Sequence, residues 1–263
     1  MATALITGAS MGIGAEFAKA LAARKLDLIL TARSQDKLEA LAKELGDRHG
    51  IKTHCIPLDL SVPGAAAKLR DSIADAGLTV DWLINNAGFG DYGAFSNSDR
   101  AKSLAMVNLN ITALMELTYD FLPTMVERKN GTIINLASIA GYQPLPYMAL
   151  YAATKAFVLN FSEALWAENK ETGVRILGLC PGPTSTEFFK AADFPAAIAP
   201  KESAAATPET VVAEALDALD AGQANCVTGG LANKALVNSG RFFPRGWLAK
   251  SIGEMFKPAN AAQ

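Results

Sequence analysis

The sequence is poor in the residues that build disulfide frameworks and metal sites. Its 263 residues include three cysteines, none of them in a CxxC pair, and two histidines. A disulfide framework needs a larger, regularly spaced set of cysteines, and a structural zinc site needs clustered Cys and His ligands. We therefore expect a reduced chain with neither structural disulfides nor a bound metal.

An excess of charge of one sign and a long apolar run are also lacking. The formal net charge is −2 and the sequence pI is about 5.8, which argues against a nucleic-acid-binding surface, since such a surface needs a basic stripe. No uncharged apolar run reaches the roughly 18 residues of a membrane-spanning helix, and the first residues lack the basic and apolar regions of a secretory signal. These absences predict a cytoplasmic protein without nucleic-acid partners or stable membrane insertion.

What is present indicates an α/β fold. Half of the residues are apolar and 19% are charged, which is enough for one sizeable core. Short apolar segments typical of strands buried on both faces lie at 3–7, 26–32, 51–57, 80–85, 131–137, 174–180 and 225–229. Segments with helical spacing alternate with them, at 13–24, 34–48, 63–76, 97–128, 151–170 and 208–221. The alternation predicts a doubly wound parallel sheet with helices on both faces, in one domain over 1–230 that is followed by a tail over 231–263.

A glycine-rich turn follows the first predicted strand. The sequence TGASMGIG occupies positions 7–14 and leads into the first predicted helix. Glycines at such a turn allow the backbone to approach a pyrophosphate, which binds at the helix N-terminus. The spacing is GxxxGxG rather than the common GxGxxG, and a turn that serves only packing is the alternative interpretation. The position directly after the first strand favours dinucleotide binding.

The end of the second predicted strand indicates which dinucleotide binds. NAD-dependent proteins with such a turn carry a carboxylate there for the ribose hydroxyls, whereas this chain has Ala32 followed by Arg33. A guanidinium binds a 2′-phosphate through charge-assisted hydrogen bonds. We therefore expect NADP(H) as the cofactor, and an ordinary solvated arginine is the alternative.

Other polar motifs follow the later predicted strands at their carboxyl ends, where ligands bind in open α/β sheets. NNAG at 85–88 follows the fourth strand, Ser138 the fifth and PG at 181–182 the sixth. Tyr151 and Lys155 stand at i and i+4 of a predicted helix, so that they share one face. A YxxxK pattern alone is common by chance, but together with these motifs it predicts one site at one edge of the sheet.

In these motifs the chain resembles the short-chain dehydrogenase/reductase family. The resemblance covers Thr3 to about Phe188 and includes TGASMGIG, LDL at 58–60, NNAG, Ser138, YAATK and PGPTST in family order and spacing. It implies a Rossmann-type sheet of seven strands. It also implies an NADP-dependent member of broad or uncertain substrate range.

The resemblance further implies a catalytic tetrad of Asn110, Ser138, Tyr151 and Lys155. Tyr151 would exchange a proton with the substrate oxygen, Ser138 would hold that oxygen, and Lys155 would bind the nicotinamide ribose. The Lys155 ammonium would lower the Tyr151 pKa from its ordinary value of about 10. Asn110 would hold a water that supplies protons. Asn110 matches the family by its spacing to Ser138, and Asn108 is the second candidate.

Family positions that contact the cofactor carry over one at a time, besides Tyr151 and Lys155. The pyrophosphate turn corresponds to Gly8, Ser10, Gly12, Ile13 and Gly14, and the adenine loop to Asp59 and Leu60. The adenosine-side loop corresponds to Asn86, and the carboxamide loop to Pro181, Thr184 and Thr186. The chain departs from many NADP-preferring relatives at Met11, where they carry Lys or Arg. Arg33 would therefore bind the 2′-phosphate with less help.

The reaction expected from these residues is the reversible, NADPH-dependent reduction of a ketone or aldehyde to an alcohol. The residues expected around the nicotinamide indicate an apolar small-molecule substrate: Phe89, Tyr92, Gln143, Leu145, Met148, Phe188 and Phe189. A catalytically silent NADP(H)-binding regulator is the second hypothesis, although such proteins commonly lose the Tyr or the Lys. A nucleotide-sugar epimerase or dehydratase is the third hypothesis. It is ranked last, because such an enzyme needs a longer substrate domain than the residues after Gly182 can form.

Two helices carry apolar residues on more than one face, which predicts a homodimer or homotetramer. These residues are Leu114, Leu117 and Phe121 in 97–128, and Phe157, Val158, Phe161 and Leu165 in 151–170.

The tail from Leu231 to Gln263 departs from the usual family ending. It combines large apolar residues with five cations and one anion: Lys234, Arg241, Arg245, Lys250, Lys257 and Glu254. A short amphipathic helix after Pro244 is predicted by the helical spacing of Trp247, Leu248, Ile252, Met255 and Phe256. A lid over the substrate pocket, an arm on a neighbouring subunit and an interfacial membrane helix are the three interpretations. Packing on protein is favoured.

Overall fold

Seven parallel strands form one sheet in the computed structural model of the chain, which describes residues 1–195 and 205–257. The strands are β1 (Thr3–Thr7), β2 (Asp27–Ala32), β3 (Thr53–Pro57), β4 (Trp82–Asn85), β5 (Gly131–Leu136), β6 (Val174–Cys180) and β7 (Asn225–Val227). Their order across the sheet is β3-β2-β1-β4-β5-β6-β7, and all neighbours pair in parallel. The chain crosses from β3 to the other side of β1, which creates a ligand-binding crevice at the carboxyl ends of the strands. The predicted Rossmann-type, doubly wound sheet of seven strands is confirmed.

Helices cover both faces of the sheet. They are α1 (Gly12–Ala23), α2 (Gln35–His49), α3 (Ala65–Asp75), α4 (Arg100–Val107), α5 (Leu114–Glu127), α6 (Ala149–Glu168), α7 (Phe188–Ala191), α8 (Pro208–Asp220), α9 (Gly230–Ser239) and α10 (Arg245–Phe256). Alternate residues of β1 enter different cores, since successive side chains of a strand point to opposite faces. Ala4 and Ile6 belong to the core with α1, α2 and α8, whereas Leu5 belongs to the core with α3 and α5. This two-sided burial explains why the strands read as continuous apolar runs.

The helix predicted over 97–128 differs from the structure in two ways. It begins at Arg100, because Asp99 caps it by accepting a hydrogen bond of 2.7 Å from the Lys102 backbone N–H. It also contains a π-helical segment, Asn108–Ala113, between α4 and α5. Apolar spacing did not show either feature.

Three predicted strands begin later than their apolar runs. Leu26, Ile51 and Val80 are buried but precede β2, β3 and β4. Leu26 shows the reason, because its N–H bonds to the Leu21 carbonyl at the end of α1. These residues pack in the core as parts of turns, and burial alone does not place a residue in a strand.

The tail contains two helices. The predicted helix after Pro244 is confirmed as α10, whereas α9 was not predicted. Val237 of α9 and Leu248 of α10 are buried, while residues 258–263 of the predicted tail lie outside the described part. Within the described ranges, no helix has the length and apolar character needed to cross a membrane.

Candidate functional site

A cavity of about 460 Å³ lies at the carboxyl ends of the strands. It is lined by most of the residues that the sequence singled out: Gly8, Ser10, Gly12, Ile13, Arg33, Asp59, Leu60, Asn86, Ser138, Tyr151, Lys155, Pro181, Thr184 and Thr186. Gly14 and Asn110 do not line it. One continuous cleft therefore joins the glycine-rich turn to the Tyr–Lys pair.

The glycine-rich turn depends on residues without a side chain. Gly8 and Gly12 have φ values of +66° and +57°, in the left-handed region that glycine adopts at no steric cost. A Cβ on Gly12 would lie 3.1 Å from Cγ2 of Thr186, across the cleft. A Cβ on Gly14 would overlap the carbonyl oxygen of Gly8, so the structure gives Gly14 a packing role behind the turn.

Asn86 fixes the position of this turn from the end of β4. Its Nδ2 donates hydrogen bonds to the carbonyl oxygens of Thr7 and Gly8, at 2.8 and 3.2 Å. Its backbone N–H and that of Ala87 both donate to Thr7 Oγ1 at 2.9 Å. The turn is thus tied to the next strand of the sheet, and Asn86 acts on the cleft through the backbone that it holds.

The far end of the cleft carries one cation and one anion. The Arg33 side chain is exposed and lines the cavity, as does Asp59. Burial raises the pKa of Asp59, but hydrogen bonds from the side chain and backbone of Ser61 and the charge of Arg33 outweigh burial and lower it. Asp59 is therefore ionised, and its Oδ1 accepts hydrogen bonds from the Ser61 hydroxyl at 2.7 Å and from the Ser61 backbone N–H at 2.9 Å. This leaves the Arg33 guanidinium facing the cleft.

Tyr151 and Lys155 lie one turn apart in α6, at the other end of the cleft. Both are buried, with 8% and 4% of their surfaces exposed. The Lys155 Nζ donates a hydrogen bond of 2.6 Å to the Leu136 carbonyl at the end of β5. Ser138, two residues later, forms a hydrogen bond with the Tyr151 side chain. The strand end and the helix thus bring a phenol, a hydroxyl and an amine together.

Burial controls the protonation of this group. It raises the Tyr151 pKa to about 12, against a smaller lowering by the Ser138 hydrogen bond. It lowers the Lys155 pKa to about 8. The sequence predicts that Lys155 lowers the phenol pKa, but burial of the phenolate has the larger effect and raises it. At neutral pH, Tyr151 is therefore a neutral proton donor.

Asn110 lies behind the cleft, in the π-helical segment. Only 1% of its surface is exposed, whereas Asn108 is partly exposed. Its Oδ1 accepts from the Phe89 N–H at 3.1 Å, and its Nδ2 donates to the Phe89 carbonyl at 3.0 Å and to Thr154 Oγ1 at 3.1 Å. These bonds hold the loop after β4 against α6. The predicted role in holding a water stays a prediction.

Apolar side chains form the end of the cleft beyond Tyr151. Five of the residues expected there line the cavity: Phe89, Leu145, Met148, Phe188 and Phe189. Tyr92 and Gln143 were expected there but are not among the lining residues. Phe194 and Phe256 also line it. Helical spacing placed Phe256 in the tail without showing where it packs, and no sequence signal marked Phe194.

These features fit a phosphorylated dinucleotide. The glycine backbone opens onto the N-terminus of α1, where Met11 makes no side-chain capping hydrogen bond. Free N–H groups and the helix dipole favour a pyrophosphate there, and Arg33 faces the same cleft. Because Gly12 has no Cβ, the space between the turn and Thr186 remains open for the ligand.

Comparison with known proteins agrees with this geometry. The family model described as short chain dehydrogenase matches residues 2–194. The chain is 36% identical over 221 residues to a very-long-chain 3-oxoacyl-CoA reductase of Anas platyrhynchos. This match covers 82% of this chain and 68% of that protein. The chain is 37% identical over 183 residues to the ketoacyl reductase HetN of Nostoc sp., which covers 70% of this chain and 63% of that one. The chain thus spans about two thirds of these relatives.

Solved structures match over nearly their whole length. A short-chain dehydrogenase from Sphingobium yanoikuyae in complex with NADPH has a TM-score of 0.81 and 30% identity, over 100% of this chain and 98% of that one. A 7beta-hydroxysteroid dehydrogenase has a TM-score of 0.86 and 26% identity, over 96% of both chains. By its motifs, its fold and these matches, the chain belongs to the short-chain dehydrogenase family.

Proposed function

We propose that this protein reduces an uncharged, apolar ketone or aldehyde to an alcohol with NADPH, reversibly, and that Tyr151 is the proton donor. That the chain is an oxidoreductase of its family using NADP(H) is confirmed by the family match and by NADPH-bound relatives. The observation that carries the finer proposal is the contact of Tyr151 with Ser138 and the position of Lys155 one turn away, in the cleft that the glycine-rich turn opens.

The cofactor would bind along the whole cleft. The backbone of the glycine-rich turn would hold the pyrophosphate, and the exposed guanidinium of Arg33 would pair with the 2′-phosphate. Asp59 and Leu60 would border the adenine. Thr184 and Thr186, in the loop after β6, would contact the carboxamide at the other end.

The proton chemistry follows from burial. When bound, NADPH supplies a hydride to the carbonyl carbon. Tyr151 is neutral below its raised pKa of about 12, so its hydroxyl donates a proton to the carbonyl oxygen. Ser138 holds the same oxygen in position. Lys155 would bind the nicotinamide ribose, and its ammonium would help to replace the proton that Tyr151 gives up.

The substrate end supports an uncharged substrate. In the described part of the cleft beyond Tyr151 and Lys155, no cation lines the wall, and the Glu187 carboxylate, which lines the cavity, is paired with Lys190 at 3.5 Å. Burial of an anionic carbonyl compound there would leave its charge unpaired, which is costly. Relatives act on different substrates by their names, among them 3-oxoacyl-CoA, a 7beta-hydroxysteroid and bulky ketones. The apolar wall favours the bulky ketones over a charged thioester.

A Tyr151→Phe variant tests the proton donor. It removes one oxygen from a buried ring, so we expect NADPH to bind with unchanged Kd while kcat for ketone reduction falls by at least about 100-fold. Tyr119→Phe is the matched control, because the Tyr119 ring is exposed on α5. Turnover within a small factor of wild type would overturn the assignment. A wild-type protein that binds NADPH and reduces no carbonyl compound would instead support the silent regulator.

We also propose a cytoplasmic homo-oligomer with α4, α5 and α6 in the contact. Most of the apolar residues that suggested it are packed inside the subunit, including Leu114, Leu117 and Val158. Met115 and Phe157 support the proposal, since 41% and 37% of their surfaces are exposed. Light scattering at the monomer mass would contradict it.

A further inference from the structure

Aromatic rings connect Tyr151 to the end of the C-terminal helix. The Tyr151 ring lies 5.2 Å from that of Phe188, in α7. Phe188 contacts Phe189 at 5.5 Å, and Phe189 contacts Phe194 at 5.5 Å. Phe194 meets Phe256, the last residue of α10, edge to face at 5.9 Å. The tail therefore completes the wall that starts at the reacting group.

Tyr92 holds this wall together. Its hydroxyl donates a hydrogen bond of 2.6 Å to the Phe256 carbonyl, and its backbone N–H donates one of 3.1 Å to the Ala192 carbonyl. Its ring lies 5.0 Å from that of Phe194. The last carbonyls of a helix have no partner within the helix, so the phenol gives the end of α10 one fixed partner. Tyr92 thus joins three segments: the loop after β4, the segment after α7, and α10.

A second set of contacts fixes the same loop. The Lys102 Nζ pairs with Asp91 at 2.6 Å and with Asp193 at 3.0 Å. Each ion pair is partly exposed and weak alone, but a cation shared between two carboxylates joins their loops. Asp91 lies next to Tyr92 in the loop after β4. The ion pair of Asp91 with Lys102 therefore helps to hold in place the loop that carries the Tyr92 hydroxyl.

The end of the wall beside Tyr151 depends on a glycine. A Cβ on Gly90 would lie 2.8 Å from Cζ of Phe188 and 3.3 Å from Cδ2 of Tyr151. The loop backbone therefore sits directly against the rings beside the reacting group. Phe188 thus forms the Tyr151 end of the aromatic wall, and Phe256 forms its other end.

We propose that Phe256, held by Tyr92, is the specificity-determining residue of this enzyme and selects carbonyl compounds with more than one ring. This inference rests on the proposed function, since it names the part of the substrate that extends beyond the reacting carbonyl. A planar or alicyclic ring system lies well against aromatic faces and edges. Phe189 and Phe194 lie between Phe188 and Phe256 in the series of ring contacts, so a fused-ring ketone bound at Tyr151 would cover more of this wall than a single-ring ketone.

The test compares cyclohexanone with the fused-ring ketone 1-decalone, using wild-type enzyme with NADPH. Phe256→Ala should raise the KM for 1-decalone by about 10-fold or more, from the loss of buried ring area, with little change for cyclohexanone. Phe242→Ala is the matched control, because Phe242 precedes α10 in the same tail and 81% of its surface is exposed. Equal KM changes for both ketones, or none, would overturn the proposal.

Tyr92→Phe removes only the hydroxyl that holds the end of α10. This small change keeps the proposal testable if the Phe256→Ala variant fails to fold. Loss of one hydrogen bond should raise the KM for 1-decalone by about 3- to 10-fold, with kcat and the NADPH Kd unchanged. A merely structural role would lower the melting temperature and affect both ketones alike. That result would exclude Tyr92 as a positioning residue.

A calorimetric titration separates this inference from the proposed function. Tyr151→Phe protein loaded with NADPH is titrated with 1-decalone, with and without Phe256→Ala. Weaker binding of 1-decalone when Phe256→Ala is present supports the role of Phe256 in substrate selection. This holds even if the wild-type protein reduces no ketone, a result that would overturn only the proposed function. Absence of binding, or equal binding on both backgrounds, would overturn the wall.

Discussion

The two ends of the cleft are built from different parts of the chain. At the cofactor end the wall is backbone, shaped by left-handed glycines and held by the Asn86 amide. At the substrate end the wall consists of apolar side chains from separate segments, including α7 and α10. A methyl group added at Gly14 meets the Gly8 carbonyl, whereas one added at Gly90 meets only the ends of side chains. Cofactor binding is therefore expected to tolerate little change, and substrate preference to shift readily.

The strongest test of this contrast is Gly14→Ala. The new Cβ would overlap the Gly8 carbonyl and lie 2.5 Å from the Asn86 Nδ2, so the turn must move. We expect the free energy of unfolding to fall by about 1–3 kcal/mol and NADPH binding to weaken. Urea unfolding and an NADPH titration measure the two effects.

Gly46→Ala is the matched control for that substitution. Gly46 also lies inside a helix, α2, but a Cβ there would be 3.5 Å from its nearest neighbour, the Ile51 carbonyl. Helix propensity should then raise the free energy of unfolding by up to about 1 kcal/mol. If both variants behave alike, the backbone of the turn is not under the steric constraint inferred here.

Arg33→Ala sharpens the comparison, because Arg33 is a side chain at the backbone-built end. Loss of a charge-assisted contact to the 2′-phosphate should raise the NADPH Kd by about 10- to 100-fold. NADH lacks that phosphate and is the control, with an expected Kd within about 2-fold of wild type on the same reasoning. Equal losses for both cofactors would show that Arg33 supports the loop rather than the phosphate.

A smaller effect is expected where the two ends meet, at Lys155. Burial lowers its pKa to about 8 and raises that of Tyr151 to about 12. Both are protonated below pH 8, as a reaction that takes up a proton requires, and Lys155 loses its proton above it. The kcat/KM for reduction should be level below pH 8 and fall by up to about tenfold per pH unit above it. NADPH affinity measured over the same range separates cofactor loss from proton transfer, and a level profile up to pH 10 would exclude Lys155 from the proton path.

The same contrast explains how much the sequence revealed. The strands and the cofactor end could be predicted, because buried strands need apolar runs and because glycines and short polar residues must follow them at fixed places. Gly8 and Ser10 are of this kind, and Arg33 and Ser138 likewise follow closely after strands, β2 and β5. Each owes its position to the strand directly before it, so local sequence is sufficient.

The substrate end could be predicted only in part. Phe89 and Met148 lie close in sequence to the motifs, and both line the cavity. Phe256 reaches it through a hydrogen bond to Tyr92, 164 residues away, and periodicity carries no information on such a contact. Gln143 shows the reverse error, since a position near a motif did not place it on the wall.

The π-helical segment between α4 and α5 sets a condition on chain length. A π-turn holds one more residue than an α-turn, so residues on its two sides differ in rotation by about 100° from an uninterrupted helix. Asn110 lies in this segment and bonds to Phe89 on one side and Thr154 on the other. Deletion of one residue from Asn108–Ala113 would close the wide turn and rotate Asn110 away from both partners. The segment should therefore accept substitutions at its partly exposed positions but neither an insertion nor a deletion.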